Sequence, residues 1–441
     1  MVRRLAVLGV VVLSSTAMAQ EGVGLNTPAG ACRSIGARYQ ARAFQIARDS
    51  GKSPDPAVVI PETKRLARVC AETLSTTSGT VIELKTLAEL WLYVGDTAKA
   101  ERIVANLGAR QGQSQADRAD VLLTSITLAN SAADPFAGIN AKAEAYVRQI
   151  DALSDSVIDR KINAHMSMLG RYEYADIDDG IKDHAQKLLT LARRALELNA
   201  LPIMPARPAR GNQPAVPAVS RAYAIMTSAY SSLARAAGDF LHADSALMIL
   251  DEAEREIVPH YPLATMSFAS PRRMYRLVGT TATPIDGKWW INAADGSVVK
   301  PGNGKISIVQ FTAHWCVPCK KSYEPMNRLM EKYKGKPVES IMATSLYGYI
   351  GAKRNLTPEQ EVAADREYYT VEHKLSSIVS VNPAQTEQSY KGSNDDRYAV
   401  GGIPEIVIID RKGVIRATVV GWDKGNEARF AAFIDKLLAE K

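Results

Sequence analysis

The chain has 441 residues, of which 46% are hydrophobic and 23% charged, and its formal net charge at pH 7 is +7. This composition is that of a globular protein with more than one core. It excludes a collagen, a fully disordered chain and a small disulfide-rich scaffold. We expect no nucleic-acid partner, because the small positive surplus forms no Lys/Arg cluster interleaved with aromatic residues.

The N-terminus has the pattern of a secretory signal peptide. Arg3 and Arg4 form a positive start, residues 5–13 are an apolar run, and residues 17–19 read small-x-small. We interpret residues 1–19 as a signal peptide that is removed on export. The protein is then expected to be periplasmic if its source is a Gram-negative bacterium.

The segment 20–275 is predicted to be an all-α domain. From about residue 27 to residue 258, Ala, Leu, Arg and Glu recur at three- and four-residue spacing, and β-branched runs are scarce. Within it, residues 84–107 place large and small side chains as a helix, a turn at Gly95 and Asp96, and a second helix require. This segment resembles one tetratricopeptide repeat.

A second copy of this pattern runs from Tyr230 through Gly238 to Leu250. The separation between Gly95 and Gly238 is not a whole multiple of the usual period of about 34 residues. We therefore predict an irregular helical repeat, and a general α-helical domain is the alternative.

A break rich in proline and glycine, from Pro259 to Thr283, separates this segment from a different pattern, and we place the domain boundary between residues 275 and 276. The segment 276–441 is predicted to be an α/β domain. Its predicted elements are a strand at 306–311, a helix to 334, a strand at 340–345, a polar insert at about 347–393, strands at 406–409 and 414–420, and a helix from about 426.

Two cysteines separated by Val317 and Pro318 follow the first of these strands. We expect Cys316 at the N-terminus of the next helix, where unpaired N–H groups and the helix dipole favour a thiolate over a thiol. Cys319, one turn later, is then the resolving thiol that attacks a mixed disulfide on Cys316. Trp315 shields one side of this site or packs beneath it.

By these residues the segment 276–441 resembles the thioredoxin-fold thiol-disulfide oxidoreductases, specifically the exported TlpA and ResA kind. A second anchor is the Gly-Gly-Ile-Pro run that ends at Pro404. The resemblance implies a cis peptide bond before Pro404, which faces the cysteines, and a substrate-binding backbone at Ile403. It also implies protein thiol or disulfide substrates, a membrane electron donor, and no bound cofactor or metal.

The chain departs from this family at the positions of two acids. Gln310 stands where thioredoxins carry a buried aspartate, and Ser322 stands where the exported reductants often carry glutamate. The remaining candidates for a proton relay are Glu324, an acid of the insert, and His314. For His314 a packing or solvent-facing role is the simpler interpretation.

The other two cysteines, Cys32 and Cys70, lie in the helical segment. If residues 28–49 and 62–77 form an antiparallel hairpin, the two sulfurs face each other and a structural disulfide follows, which an exported environment permits. Two buried free thiols and a zinc site completed by the other two cysteines are the alternatives.

Together these patterns predict an exported oxidoreductase that reduces or isomerises protein disulfides, preceded by a helical module with a protein partner of its own. The alternative from a different class is a helical-repeat binding protein whose thioredoxin-like domain only docks. A thiol peroxidase is a weaker alternative, because that family usually has threonine where Ala313 stands. The enzyme interpretation predicts that replacing Cys316 and Cys319 by serine abolishes function. The docking interpretation predicts that the same replacement leaves function intact.

Overall fold

The computed structural model describes residues 26–50, 55–132, 141–175, 177–209, 215, 217–238, 242–295, 297–422 and 426–440. The predicted signal peptide, residues 1–19, lies outside these ranges. Contacts divide the chain into two compact units, Met1–Ala175 with Arg193–Ala200, and Asp176–Ala192 with Leu201–Lys441. None of the described helices combines the length and the hydropathy that a bilayer span demands.

The regular secondary structure described for the first unit is helical, with turns between the helices. Its helices are α1 (Pro28–Asp49), α2 (Pro56–Ala71), α3 (Val81–Tyr93), α4 (Thr97–Gly108), α5 (Gln115–Ala132), α6 (Ala141–Asp151) and α7 (Ile158–Ala175), while α8 (Asp178–Glu197) contributes residues to both units. Buried alanines and leucines at three- and four-residue spacing form its core.

Helix α2 begins earlier and ends earlier than the predicted segment 62–77. The carboxylate of Asp55 accepts a hydrogen bond of 2.9 Å from the amide of Ala57, and Pro56 occupies the first helical position, where its missing N–H costs nothing. The helix then continues through Pro61. The prediction was wrong here because it began the helix after Pro61, which lies inside the helix, and carried it beyond Ala71.

The helix, turn and helix predicted over residues 84–107 are present as α3 and α4. Thr80 and Glu83 form a capping box at the start of α3. At the turn, Gly95 adopts a φ of 85°, which a side chain disfavours, and the Asp96 carboxylate accepts the amide of Lys99 at 3.1 Å. One hairpin does not by itself establish a repeat.

The second unit contains three further helices, α9 (Ala222–Gly238), α10 (Ala243–Ile257) and α11 (Ala264–Leu277), before its sheet. Helix α11 lies inside the break predicted from Pro259 to Thr283 and includes Pro271, so that break is shorter than expected. The predicted boundary between residues 275 and 276 falls within this unit and stays a prediction.

A six-stranded mixed sheet follows, formed by β4 (Trp289–Ile291), β6 (Ile306–Phe311), β7 (Val338–Ser345), β10 (Ile378–Asn382), β11 (Glu405–Ile409) and β12 (Ile415–Val420). Its strand order is β12, β11, β6, β7, β10, β4. Strands β6, β7 and β10 are parallel, and β11, β12 and β4 run antiparallel to their neighbours. Three short pairs complete the strands, namely β1 (Ile203–Met204) with β2 (Val219–Ser220), β3 (Ile285–Asp286) with β5 (Val298–Val299), and β8 (Tyr349–Ile350) with β9 (Lys353–Arg354).

Helices cover this sheet and position the site. Residues that alternate along β6 face opposite sides of the sheet and belong to different cores. Ile306 and Ile308 pack with α12 (Val317–Lys332) and α16 (Asn426–Ala439). Phe311 belongs to a separate core with Tyr398. Because both faces are covered, every residue of β6 is buried, as its near-continuous apolar sequence indicates.

The insert after β7 has more structure than its polar sequence predicts. Besides the β8–β9 hairpin it contains α13 (Pro358–Arg366), a π-helical turn (Glu367–Glu372), the sheet strand β10 and α14 (Glu387–Tyr390), and α15 (Asn394–Arg397) follows. Buried residues Val362, Tyr368 and Tyr369 of the insert join the apolar cluster that holds Cys316 and Cys319.

Candidate redox site

Cys316 and Cys319 are joined by a disulfide at the junction between β6 and α12. Cys316 is the N-cap residue of α12, and its sulfur accepts the backbone amide of Cys319 at 3.1 Å. Pro318 lies in the first turn, where a proline breaks no helical hydrogen bond. Both cysteines are buried: the exposed fraction is 3% for Cys316 and zero for Cys319.

The loop before β11 lies against this disulfide. The peptide bond between Ile403 and Pro404 is cis, and the carbonyl oxygen of Ile403 lies 3.6 Å from the sulfur of Cys316. The sequence predicts both features only through the family resemblance, since most X-Pro bonds are trans.

Trp315 and Val317, on either side of Cys316, are exposed. Trp315 retains 40% of its accessible surface, and its ring meets the edge of Tyr347 at a centroid distance of 5.5 Å. It therefore borders the disulfide from the solvent side and is not a core residue beneath it. Val317 is 64% exposed.

His314 is buried among tyrosines of the insert. Its ring lies 5.0 Å from that of Tyr349 and 5.4 Å from that of Tyr347, both edge-on. Burial lowers the pKa of His314 to about 4, and the cations Lys320 and Arg354 add to the shift. The imidazole is thus neutral at pH 7 and packs, as the simpler interpretation held.

Gln310 and Ser322, at the positions of the two missing acids, are fully buried and hydrogen-bonded to each other. The Gln310 side-chain amide donates to the Ser322 hydroxyl at 2.8 Å, and this hydroxyl donates to the carbonyl of Cys319 at 2.6 Å. Glu324 is exposed and pairs with Arg328 at 2.9 Å, so it does not share the buried environment of Cys319.

Two carboxyl groups of α13, Glu361 and Asp365, are buried one turn apart. Glu361 accepts the amides of Tyr347 and Gly348 at 2.7 and 2.6 Å, and its carboxylate lies 4.0 Å from the His314 ring. Asp365 has no hydrogen-bond partner for either oxygen among the described residues. Burial, together with the neighbouring Glu361, raises the pKa of Asp365 to about 7.

A third buried acid, Glu405, directly follows the cis proline on β11. One of its oxygens accepts the amide of Gly401 at 3.1 Å. Burial raises the pKa of Glu405 to about 8, and repulsion from Asp395 adds to the effect.

The sequence pointed to an acid of the insert without identifying Glu361 or Asp365, and it did not identify Glu405 or the tyrosines packed around the disulfide. The only signal for Glu405 is a charged residue at the start of an otherwise apolar strand. Glu361 and Asp365 stand in a segment rich in charge, which is typical of an exposed helix. The four-residue spacing of Tyr323 from Cys319 on α12 was the one available sign that a tyrosine lies near the resolving sulfur. Burial raises the pKa of Tyr323 to about 12, so its hydroxyl stays protonated.

The structure joins Cys32 of α1 to Cys70 of α2 by a disulfide. All four cysteines are therefore bonded in two pairs, and no thiolate remains for the zinc site that was the alternative. Among the described residues, no cluster of His, Cys, Asp or Glu has an arrangement that holds a metal ion.

No family model matches the chain. Two curated relatives are each 27% identical: the thiol-disulfide oxidoreductase ResA of Bacillus cereus, over 124 residues or 28% of this chain, and the thioredoxin-like protein YneN of Bacillus subtilis, over 129 residues or 29%. Part of the chain is thus related to thiol-disulfide oxidoreductases. The chain spans 59% of the length of ResA and 64% of that of YneN.

Solved structures also resemble about a third of the chain. A thiol-disulfide isomerase of Corynebacterium glutamicum is 21% identical, with a TM-score of 0.30, and the match covers 37% of this chain and 98% of that one. The thioredoxin domain of a thiol-disulfide oxidoreductase of Bacteroides vulgatus is 18% identical, with a TM-score of 0.27, and covers 36% and 97% respectively. The curated relatives, together with the mixed sheet that carries the cysteine pair, support a thioredoxin-like fold.

Proposed function

We propose that the chain is an exported thiol-disulfide oxidoreductase that reduces or isomerises disulfides of other proteins through Cys316 and Cys319. The observation that carries this proposal is the sulfur of Cys316 at the start of α12, where it accepts the amide of Cys319 at 3.1 Å. After reduction, the same amide and the helix dipole favour negative charge on this sulfur.

In the reductive direction, the Cys316 thiolate attacks one sulfur of a substrate disulfide, and the other substrate sulfur leaves with the bonding electrons and takes up a proton. Cys319 then loses its proton and attacks the Cys316 sulfur, which releases the second substrate sulfur as a thiolate. Two electrons have passed to the substrate, and the chain is left with the Cys316–Cys319 disulfide. A membrane-bound dithiol donor restores the reduced form.

The surrounding residues have proposed roles in this exchange. The backbone of Ile403 and the ring of Pro404 face the incoming substrate segment, and Trp315 contacts it from the exposed side. Two buried acids, Asp365 and Glu405, have pKa values close to neutrality, the range that suits proton exchange with a thiol.

A trapping experiment tests the proposal. In the reduced Cys319→Ser variant, Cys316 can attack a disulfide-bonded probe protein such as insulin, but nothing resolves the product. We expect a stable mixed disulfide, no such adduct with Cys316→Ser, and normal turnover with the matched control Cys32→Ser/Cys70→Ser. Failure of Cys319→Ser to form the adduct contradicts the proposal.

A cleft in the first unit favours a second candidate function, that of a tetratricopeptide-like partner-binding protein with a non-catalytic thioredoxin-like domain. The cleft has a volume of about 750 Å³ and is lined by α4, α5 and α6, with Val104, Leu122 and Leu128 among its apolar residues. If this is the main function, the double variant Cys316→Ser/Cys319→Ser retains it. The enzyme proposal expects the same variant to lose all function.

A further inference from the structure

The surface around the disulfide is apolar and aromatic. Trp315, Val317 and Tyr347, which we call the entrance face, are 40%, 64% and 36% exposed. Trp315 and Val317 adjoin Cys316 in sequence, and Tyr347 meets Trp315 edge-on at 5.5 Å. Exposed large apolar side chains grouped at a reactive sulfur are typical of a surface that a protein segment covers.

Four exposed cations lie on the two segments that form this face, and three of them, Lys320, Lys353 and Arg354, carry the argument. Lys320 is on the first turn of α12, and Lys353 and Arg354 are on β9 of the insert hairpin. The segments 312–323 and 346–358, which carry them, contain no aspartate or glutamate, and the loop 399–404 before β11 has no charged residue.

Arg354 of the β8–β9 hairpin is connected to the segment before Cys316 through tyrosines of the insert. The Arg354 guanidinium lies 4.7 Å from the centre of the Tyr349 ring, and that ring lies 5.0 Å from His314. On α12, the Lys320 ammonium lies 5.5 Å from the centre of the Tyr368 ring, another tyrosine of the insert. Burial lowers the pKa of His314, two residues before Cys316, and Lys320 and Arg354 both lower it further.

The exposed carboxylate nearest to these three cations in sequence belongs to Glu324, four residues after Lys320, and it pairs with Arg328 at 2.9 Å. Arg354 donates to the backbone carbonyls of Gly351 and Lys353. Within the described part of the chain, none of Lys320, Lys353 and Arg354 has an ion-pair partner. Glu361 and Asp365, two acids of the insert, are each 1% exposed.

We propose that the entrance face and its three cations select protein substrates whose redox-active cysteines are flanked by acidic and aromatic residues. This inference rests on the proposed function and gives its substrate class. Aromatic residues of the substrate pack against Trp315 and Tyr347. Carboxylates of the substrate pair with Lys320 on α12 and with Lys353 and Arg354 on the β8–β9 hairpin. Exposed charges act over a Debye length of about 10 Å at 0.1 M salt, so the selection weakens as the ionic strength rises.

The test uses two synthetic peptides of equal length, each with one internal disulfide flanked by Phe and either Asp or Lys. The full reduced chain should reduce the acidic peptide with a kcat/KM about tenfold higher than that of the basic peptide at low ionic strength. This ratio should fall towards one at high salt. Equal values for the two peptides at low salt overturn the inference.

The charge-reversed variant Lys353→Glu/Arg354→Glu should lower the acidic-to-basic ratio of kcat/KM at least about fivefold. The matched control Lys334→Glu/Lys336→Glu makes the same charge change at exposed positions near the far end of α12 and should leave the ratio unchanged. Equal effects of the two variants overturn the inference. The salt dependence of the wild type remains decisive if the hairpin variant misfolds.

Bis(2-hydroxyethyl) disulfide, a small neutral substrate, separates this inference from the function on which it rests. If the wild type reduces it but does not discriminate between the peptides, the substrate class is wrong and the oxidoreductase stands. If the wild type reduces neither this disulfide nor the peptides, the proposed function fails, and the inference fails with it.

Discussion

The side-chain amide of Gln310 donates a hydrogen bond of 2.8 Å to the hydroxyl of Ser322, and both residues are fully buried beside Cys319. These are the positions at which the family that the sequence resembles usually carries its two acids. The neighbourhood of the resolving sulfur is therefore polar and neutral here. Buried carboxyl groups come instead from α13 and from the start of β11.

We predict that Ser322→Ala destabilises the oxidised protein by about 1–3 kcal/mol. The change removes the acceptor of the Gln310 amide and the donor to the Cys319 carbonyl, and leaves a buried N–H without a partner. Urea unfolding at pH 7 measures the loss. Ser376→Ala, at an exposed position of the same unit, is the matched control and should change stability by less than about 0.5 kcal/mol. Equal stabilities of the two variants contradict the role of the pair.

Asp365 should make the stability of the protein depend on pH. An acid with a raised folded-state pKa holds its proton more tightly in the folded chain. The stability that it contributes is full below the unfolded pKa of 3.8 and is lost as the pH rises through about 7. Relative to Asp365→Asn, the wild type should therefore lose about 2 kcal/mol of unfolding free energy between pH 5 and pH 8.

Unfolding of the two oxidised proteins across this pH range measures the difference. His314, whose lowered pKa acts in the opposite sense, and Glu405 are present in both proteins, so their contributions cancel. Asp183→Asn removes an exposed acid of the same unit and should show no comparable trend. Parallel pH profiles of the wild type and Asp365→Asn contradict the assignment of a protonated Asp365.

The disulfide between Cys32 and Cys70 should stabilise the first unit without contributing to redox exchange. It closes a loop with a sequence separation of 38, for which the chain-entropy estimate is about 4 kcal/mol. We expect Cys32→Ser/Cys70→Ser to unfold α1 and α2 at lower denaturant and to reduce insulin at the wild-type rate. A loss of insulin reduction in the folded variant contradicts the separation of the two disulfides.

Much of the framework around the redox site could be predicted, because its elements are marked by local sequence. The continuous apolar run of β6, the cysteine pair at the start of α12, and the strands around Gly413 each carry their own signal. Gly95 and Asp96 likewise mark a turn. Gly95 adopts a positive φ, and the Asp96 carboxylate caps the helix that follows.

The insert could not be predicted in the same way, because tertiary burial decides its structure. Strand β10 includes Ser380 and Asn382 and stands within a polar insert, so the tertiary fold decides its pairing with β7 and β4. The segment around Glu361 and Asp365 is charged, yet both side chains are buried against the tyrosines of the site. Their chemistry depends on that packing.

The ionisation of Cys316 in the reduced protein is the most direct test of the account. Thiolate absorbance near 240 nm, followed against pH in the wild type and in Cys316→Ser, isolates this sulfur. We predict a pKa for Cys316 below the value of about 8.5 of an ordinary thiol, within the range of about 3.5–7.5 seen for such motifs. A Cys316 thiol that stays protonated up to pH 8.5 would contradict the assignment of this sulfur as the attacking group.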